Sequence, residues 1–217
     1  MQVKICGLSR TEDIEAVNTA RPDYCGFVIH VPKSRRNVDV VTLRTLRTSL
    51  APDITPVGVF VDEPVEQVAT LLNEGVLAVA QLHGHEDEHY LAVLRRLTCK
   101  SIWQAFQIRS EDDVHRAMKS SADFILLDAG GGSGVVFDWT LLAGVTRPFA
   151  LAGGLHAENI PEAMLSEACL LDVSSGVETN GKKDRQKIYQ IVQMIKGERI
   201  CPKENLAFTA GSICPKP

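Results

Sequence analysis

Lys4 and Cys6 stand two residues apart in the apolar run Val3–Cys6. On an extended strand that spacing turns both side chains to one face, while Val3 and Ile5 point to the other. An ammonium beside a thiol lowers the thiol pKa from about 8.5. The pair could therefore furnish a thiolate base or nucleophile near neutral pH, and a buried, inert cysteine is the competing reading. Asp128 is a second candidate, because it ends the apolar run Phe124-Ile125-Leu126-Leu127 just before a glycine-rich stretch. Burial raises a carboxyl pKa, so this acid could hold a proton and deliver it to a leaving oxygen. Capping of the following loop is the alternative.

Other segments suit the binding of anions. Gly131-Gly132-Ser133-Gly134, Ala152-Gly153-Gly154-Leu155 and Ser174-Ser175-Gly176-Val177 each follow an apolar run. Glycine lets backbone N–H groups approach a phosphate closely, and serine hydroxyls add donors. The basic stretch Pro32-Lys33-Ser34-Arg35-Arg36 lies in an otherwise acidic chain, where an arginine fork could grip a carboxylate or could simply be solvated. His83, and His85-Glu86-Asp87-Glu88-His89, offer imidazoles. The latter string matches HExxH formally, but it opens a helix where acids suit the first turn, and no third ligand is evident. No metal is expected.

These residues need a frame that brings them together. Short runs rich in Val, Ile, Leu and Phe recur at Val3–Cys6, Tyr24–Ile29, Pro56–Val61, Ala78–Leu82, Ser101–Gln107, Phe124–Asp128, Pro148–Leu151 and Leu170–Val173. A stretch with helical spacing of apolar residues follows each. Eight such units in about 195 residues predict a parallel α/β sheet closed into a (β/α)8 TIM barrel, whose functional groups lie at the C-terminal ends of the strands. In such barrels the loops after strands seven and eight commonly hold phosphate. Ser9 ahead of Thr11, and Pro64 at the first position of a Val65–Leu72 helix, are the expected helix starts.

The chain of 217 residues suits one barrel domain over 1–196, followed by a tail over 197–217 that lacks periodicity and is expected to be flexible. The tail carries Ile-Cys-Pro-Lys twice, at Ile200–Lys203 and Ile213–Lys216. A hydrophobic content of 45% and a charged content of 23% exclude a disordered or fibrous class. A net charge of -4 provides no general field for nucleic acid. Polar residues interrupt every apolar run well short of the roughly 20 needed to cross a bilayer. No export signal is visible, and the six scattered cysteines lack CxxC spacing, so a cytoplasmic protein with mostly reduced thiols is expected.

In order along the chain, Lys4-Ile5-Cys6-Gly7-Leu8, Pro32-Lys33-Ser34-Arg35-Arg36, Val57-Gly58-Val59-Phe60-Val61 and Gln81-Leu82-His83-Gly84 are followed by Leu126-Leu127-Asp128 and Gly131-Gly132-Ser133-Gly134. Phe137-Asp138-Trp139, Leu151-Ala152-Gly153-Gly154-Leu155 and Asp172-Val173-Ser174-Ser175-Gly176-Val177-Glu178 complete the series. From Val3 to about Ile195 the chain resembles the phosphoribosylanthranilate isomerase family of tryptophan biosynthesis. The resemblance implies a cofactor-independent Amadori rearrangement of N-(5-phosphoribosyl)anthranilate to 1-(2-carboxyphenylamino)-1-deoxyribulose 5-phosphate. It implies Asp128 as the general acid, Cys6 as the base, and Arg36 as the grip on the anthranilate carboxylate. Gly153, Gly154, Ser174, Ser175 and Gly176 would hold the phosphate, with Lys4, His83, Gly132 and Ser133 in support. The partner is thus a small phosphosugar, and the protein a monomer or homodimer.

Two features depart from the family pattern. Only Ala129 and Gly130 separate Asp128 from the Gly131 loop, which implies an abbreviated lid. His30-Val31 stands where an aromatic or apolar pair is expected. A sister phosphosugar barrel such as indole-3-glycerol phosphate synthase would need a lysine and glutamate constellation in place of Cys6 and Asp128. A non-catalytic binding module would have lost one of those two residues.

Overall fold

The computed structural model describes residues 1–128 and 138–197. Eight parallel strands, β1 (Gln2–Cys6), β2 (Tyr24–Ile29), β3 (Thr55–Phe60), β4 (Val79–Leu82), β5 (Ser101–Gln107), β6 (Phe124–Asp128), β7 (Phe149–Ala152) and β8 (Leu170–Val173), pair in sequence order. β1 pairs with both β2 and β8, which closes the barrel. A two-residue strand, Asn37–Val38, adds to β2 at Val28 and Ile29. An antiparallel hairpin, Glu178–Thr179 with Lys182–Lys183, follows β8.

Helices α1 (Thr11–Ala20), α2 (Val40–Thr48), α3 (Val65–Asn73), α4 (Glu88–Leu97), α5 (Glu111–Lys119), α6 (Ile160–Ala163) and α7 (Arg185–Gly197) form the outer layer. Their apolar stripes explain why they dock. In α7, Ile188, Ile191, Val192 and Ile195 recur at helical spacing and are all buried, and the helix packs on α1 and β1. Asp39 and Asp87 cap α2 and α4 by accepting from the amides of Thr42 at 2.7 Å and Tyr90 at 2.8 Å.

Two apolar layers result from strands that are buried on both faces. Val3, Ile5, Phe27, Phe60 and Leu127 face the helices. Val57, Val79, Trp103, Leu126, Ala150 and Leu170 fill the barrel interior. Trp103 meets Tyr24 edge-on at 5.0 Å and Phe124 at 5.1 Å between ring centroids. These rings lie toward the N-terminal end of the interior, leaving the opposite end for polar groups.

The sequence expectations need five local corrections. β7 begins at Phe149 rather than Pro148, since proline has no N–H to give the ladder. Among the described residues between β6 and β7 the helical segment is a 3-10 helix, Trp139–Gly144, and α6 is only four residues long. Arg10, not Ser9, is the N-cap of α1. There Asp13 accepts from the amides of Ser9 and Arg10 at 2.9 and 3.1 Å. Pro64 is the N-cap of α3 and not its first turn. No helix among the described residues is long and apolar enough to cross a membrane.

Candidate active site

Lys4 points into the barrel and is fully buried. Its Nζ donates to Asp172 Oδ2 at 2.7 Å and to Gln81 Oε1 at 2.8 Å, and β1 and β8 place Lys4 and Asp172 in direct register. Burial by itself lowers the ammonium pKa, but the Asp172 charge, with Cys6 beside it, raises it above its ordinary value. The other Asp172 oxygen, Oδ1, is buried and has no hydrogen-bond partner among the described residues.

Cys6 lies at the end of β1, buried beside this pair. Its pKa runs against the expectation from sequence. Burial pushes the thiol up, Lys4 pulls it down, and the Asp172 carboxylate pushes it up again, leaving it above the ordinary thiol value. Burial is the largest cause, and the Asp172 carboxylate beside Lys4 adds to it. Space for the thiol comes from Gly26, its register partner on β2. A Cβ at Gly26 would lie 2.8 Å from Cys6 Sγ and 3.1 Å from Lys4 Cε.

Asp128 ends β6, with its side chain 13% exposed. Its Oδ2 lies 3.2 Å from Nε2 of His83, the residue after β4. Burial of the imidazole disfavours its charge, yet the hydrogen bond and charge of Asp128 outweigh that effect and raise the His83 pKa. Gly132 and Ser133 lie outside the described residues, as does the tail beyond Gly197.

Arg36 reaches over the start of the loop after β1. A Cβ on Gly7, which has a φ of +82°, would meet Arg36 Cδ at 2.3 Å, so glycine permits this approach. The Arg36 side chain is mostly buried. Its Nε and Nη2 donate to Glu178 at 2.6 and 3.0 Å. Glu178 also accepts from Lys183 Nζ at 2.8 Å. Burial would push that carboxyl up, but hydrogen bonds from Arg36 and Lys183 hold its pKa down to about 2. Lys183 in turn donates to the carbonyl of Ser174 at 2.9 Å, and Ser174 Oγ donates to the carbonyl of Cys6 at 3.0 Å.

The two loops expected to cradle phosphate are neighbours. Gly153 and Gly154 both have positive φ, 87° and 66°. Asn159 fixes their loop by donating to the Gly154 carbonyl at 3.0 Å and accepting from the His156 amide at 2.8 Å. Ser174 follows β8, and Ser175 and Gly176 lie in the 3-10 turn Ser175–Val177. A Cβ on Gly176 would fall 1.9 Å from the Leu155 carbonyl oxygen, so glycine there lets the two loops touch.

The HExxH-like string is engaged otherwise. Glu86 accepts from the amides of Asp62 and Gly84, each at 2.8 Å, and the Asp87 carboxylate caps α4. The four described cysteines, Cys6, Cys25, Cys99 and Cys169, are free thiols.

Asp172, Gln81, Glu178 and Lys183 had no role in the reading from sequence. The signal that marked Asp128, a carboxylate in an apolar strand, also marks Asp172 in Leu170–Val173. Glu178 carried no comparable signal, since its arginine partners lie 142 and 143 residues away in the loop after β2.

A family model described as N-(5'phosphoribosyl)anthranilate (PRA) isomerase matches residues 3–194. An N-(5'-phosphoribosyl)anthranilate isomerase of Endomicrobium trichonymphae is 42% identical over 202 residues, covering 90% of this chain and 98% of that one. A Thermotoga maritima phosphoribosylanthranilate isomerase, solved as monomers of a dimeric protein, is 33% identical with a TM-score of 0.80, covering 91% and 99%. A phosphoribosylanthranilate isomerase in complex with reduced 1-(o-carboxyphenylamino)-1-deoxyribulose 5-phosphate is 32% identical with a TM-score of 0.80, also covering 91% and 99%. With a barrel that sets a thiol and a carboxylic acid at the C-terminal ends of its strands, this chain belongs to the N-(5'-phosphoribosyl)anthranilate isomerase family.

Proposed function

We propose that the protein catalyses the Amadori rearrangement of N-(5-phosphoribosyl)anthranilate to 1-(2-carboxyphenylamino)-1-deoxyribulose 5-phosphate, a step of tryptophan biosynthesis. The observation that carries this reading is the placement of Cys6 and Asp128 at the C-terminal ends of β1 and β6 in one barrel. Asp128 gives a proton to the ribose ring oxygen as the C1–O bond breaks, and the nitrogen lone pair forms the Schiff base. Cys6, as thiolate, takes the C2 proton, and the electron pair of the C–H bond moves to give an enolamine. Tautomerisation to the ketone places a proton back on C1. Each proton transfer by a positioned group contributes about 10² to 10⁴ in rate.

His83 keeps the Asp128 carboxyl in place through the 3.2 Å contact. The raised Cys6 pKa makes the thiolate a stronger base once formed. Arg36 receives the anthranilate carboxylate. Gly153, Gly154, Ser174, Ser175 and Gly176 receive the phosphate, supported by the contact between their loops at Gly176 and Leu155. Gly132 and Ser133 keep the supporting role that the family resemblance implies, and Lys4 holds the floor beneath Cys6. The reaction uses only proton transfers and needs no cofactor. We further assign the protein to the cytoplasm, as a monomer or homodimer with a small phosphosugar as its ligand and no nucleic-acid partner.

The test is to generate the substrate in situ from anthranilate and ribose 5-phosphate, follow loss of its fluorescence with purified protein, and identify the product by mass and chromatography. Formation of the ketose phosphate supports the reading, and absence of conversion refutes it.

A further inference from the structure

Glu178 gathers three cations on one carboxylate. Oε1 accepts from Arg36 Nε at 2.6 Å and Lys183 Nζ at 2.8 Å, and Oε2 accepts from Arg36 Nη2 at 3.0 Å and Arg35 Nη2 at 2.6 Å. The Glu178 side chain is only 5% exposed and that of Lys183 only 2%. Three positive charges against one negative leave the cluster cationic, suited to a further anion.

Glu178 engages Arg36 through both Nε and Nη2, which fixes the plane of the guanidinium. Arg36 Nη1 has no hydrogen-bond partner among the described residues, so part of the fork remains for a second acceptor. Arg36 and Glu178 both line a cavity of about 340 Å³, walled also by Gly7, Arg10 and Lys182. That volume is in the range of small-molecule sites.

We propose that Glu178 is a positioning residue for substrate choice: by clamping Arg36 it makes the site select an aryl amine that bears a carboxylate over a neutral one. Arg36 touches the substrate and Glu178 acts through it, so the inference rests on the role given to Arg36 under the proposed function. A clamped arginine has lost its rotamer freedom before the substrate arrives, and binding no longer has to order it. A neutral aryl group makes no use of the fork and gains nothing from the clamp.

The experiment compares two substrates made from ribose 5-phosphate, one with anthranilate and one with aniline, in wild type, Glu178→Gln and Glu178→Asp. Circular dichroism melting checks that each variant is folded. In Glu178→Gln, kcat/KM for the anthranilate substrate is expected to fall about tenfold or more, chiefly through KM, as befits loss of a charged hydrogen-bond partner. The aniline substrate should change by less than about threefold on the same scale. Glu178→Asp, which keeps the charge, should restore part of the preference. An equal loss on both substrates, or an unchanged preference in folded variants, overturns the inference while leaving the isomerase reading intact. No conversion of the anthranilate substrate by wild type overturns both.

Discussion

His83 and Asp128 meet over β5: the imidazole comes from the loop after β4, the carboxylate from the end of β6, and Nε2 lies 3.2 Å from Oδ2. Each side chain thus holds the other at the mouth of the barrel from a strand that is not its neighbour. A general acid needs a fixed direction for its proton as well as a suitable pKa. The imidazole supplies that fixation at Oδ2.

The raised His83 pKa predicts a pH dependence of stability. Because the folded value lies above the unfolded one, near 6.5, the contact contributes fully below the unfolded pKa and is lost as pH rises through the folded pKa. Urea unfolding of wild type and His83→Gln should therefore show a larger wild-type advantage at pH 5.5 than at pH 9. An equal difference at both pH values would mean that Asp128 does not favour the imidazolium.

Lys4→Met should be strongly destabilising, by about 3–5 kcal/mol, because it leaves Asp172 charged and unmatched inside the barrel. Adding Asp172→Leu should recover part of that loss, since an apolar pair has no buried charge to stabilise. Equilibrium unfolding of the single and double variants checks this. A double variant less stable than Lys4→Met would contradict it.

The closed barrel was legible because each strand is an apolar run bounded by polar residues, and because eight of them fit a closed sheet. Asp128 was legible for the same reason, as a carboxylate at the end of such a run. The environment of Cys6 was not. Sequence spacing placed Lys4 on its face correctly, but the thiol pKa is raised first by burial and then by Asp172, which comes from the far end of the chain and pairs with Lys4 only once β1 and β8 close. Arg36 was picked out as an anion grip, whereas its clamp by Glu178 joins residues 142 apart in sequence. Pairings across that distance are set by topology, and local patterns do not carry them.

Gly26→Ala tests the space around Cys6. The added Cβ would lie 2.8 Å from Cys6 Sγ, 3.1 Å from Lys4 Cε and 3.2 Å from Cys6 Cα, so both side chains must move. A stability loss of about 1–3 kcal/mol is expected from overpacking, with a fall in kcat as the thiol leaves its place. Gly144→Ala is the control, since nothing lies within 4 Å of its Cβ position. Melting temperatures and initial rates of the two variants should separate clearly, and equal behaviour would show that the Cys6 site is not tightly packed.

The proposed catalysis rests on proton transfer by Cys6 and Asp128, and single-turnover rates measure that directly. Wild type, Cys6→Ala and Asp128→Asn would be mixed in excess with N-(5-phosphoribosyl)anthranilate, with binding of the reduced product analogue measured in parallel. Each substitution should slow conversion by about 10² to 10⁴ while affinity for the analogue changes little. Conversion within a few-fold of wild type in either variant would contradict the role given to that residue.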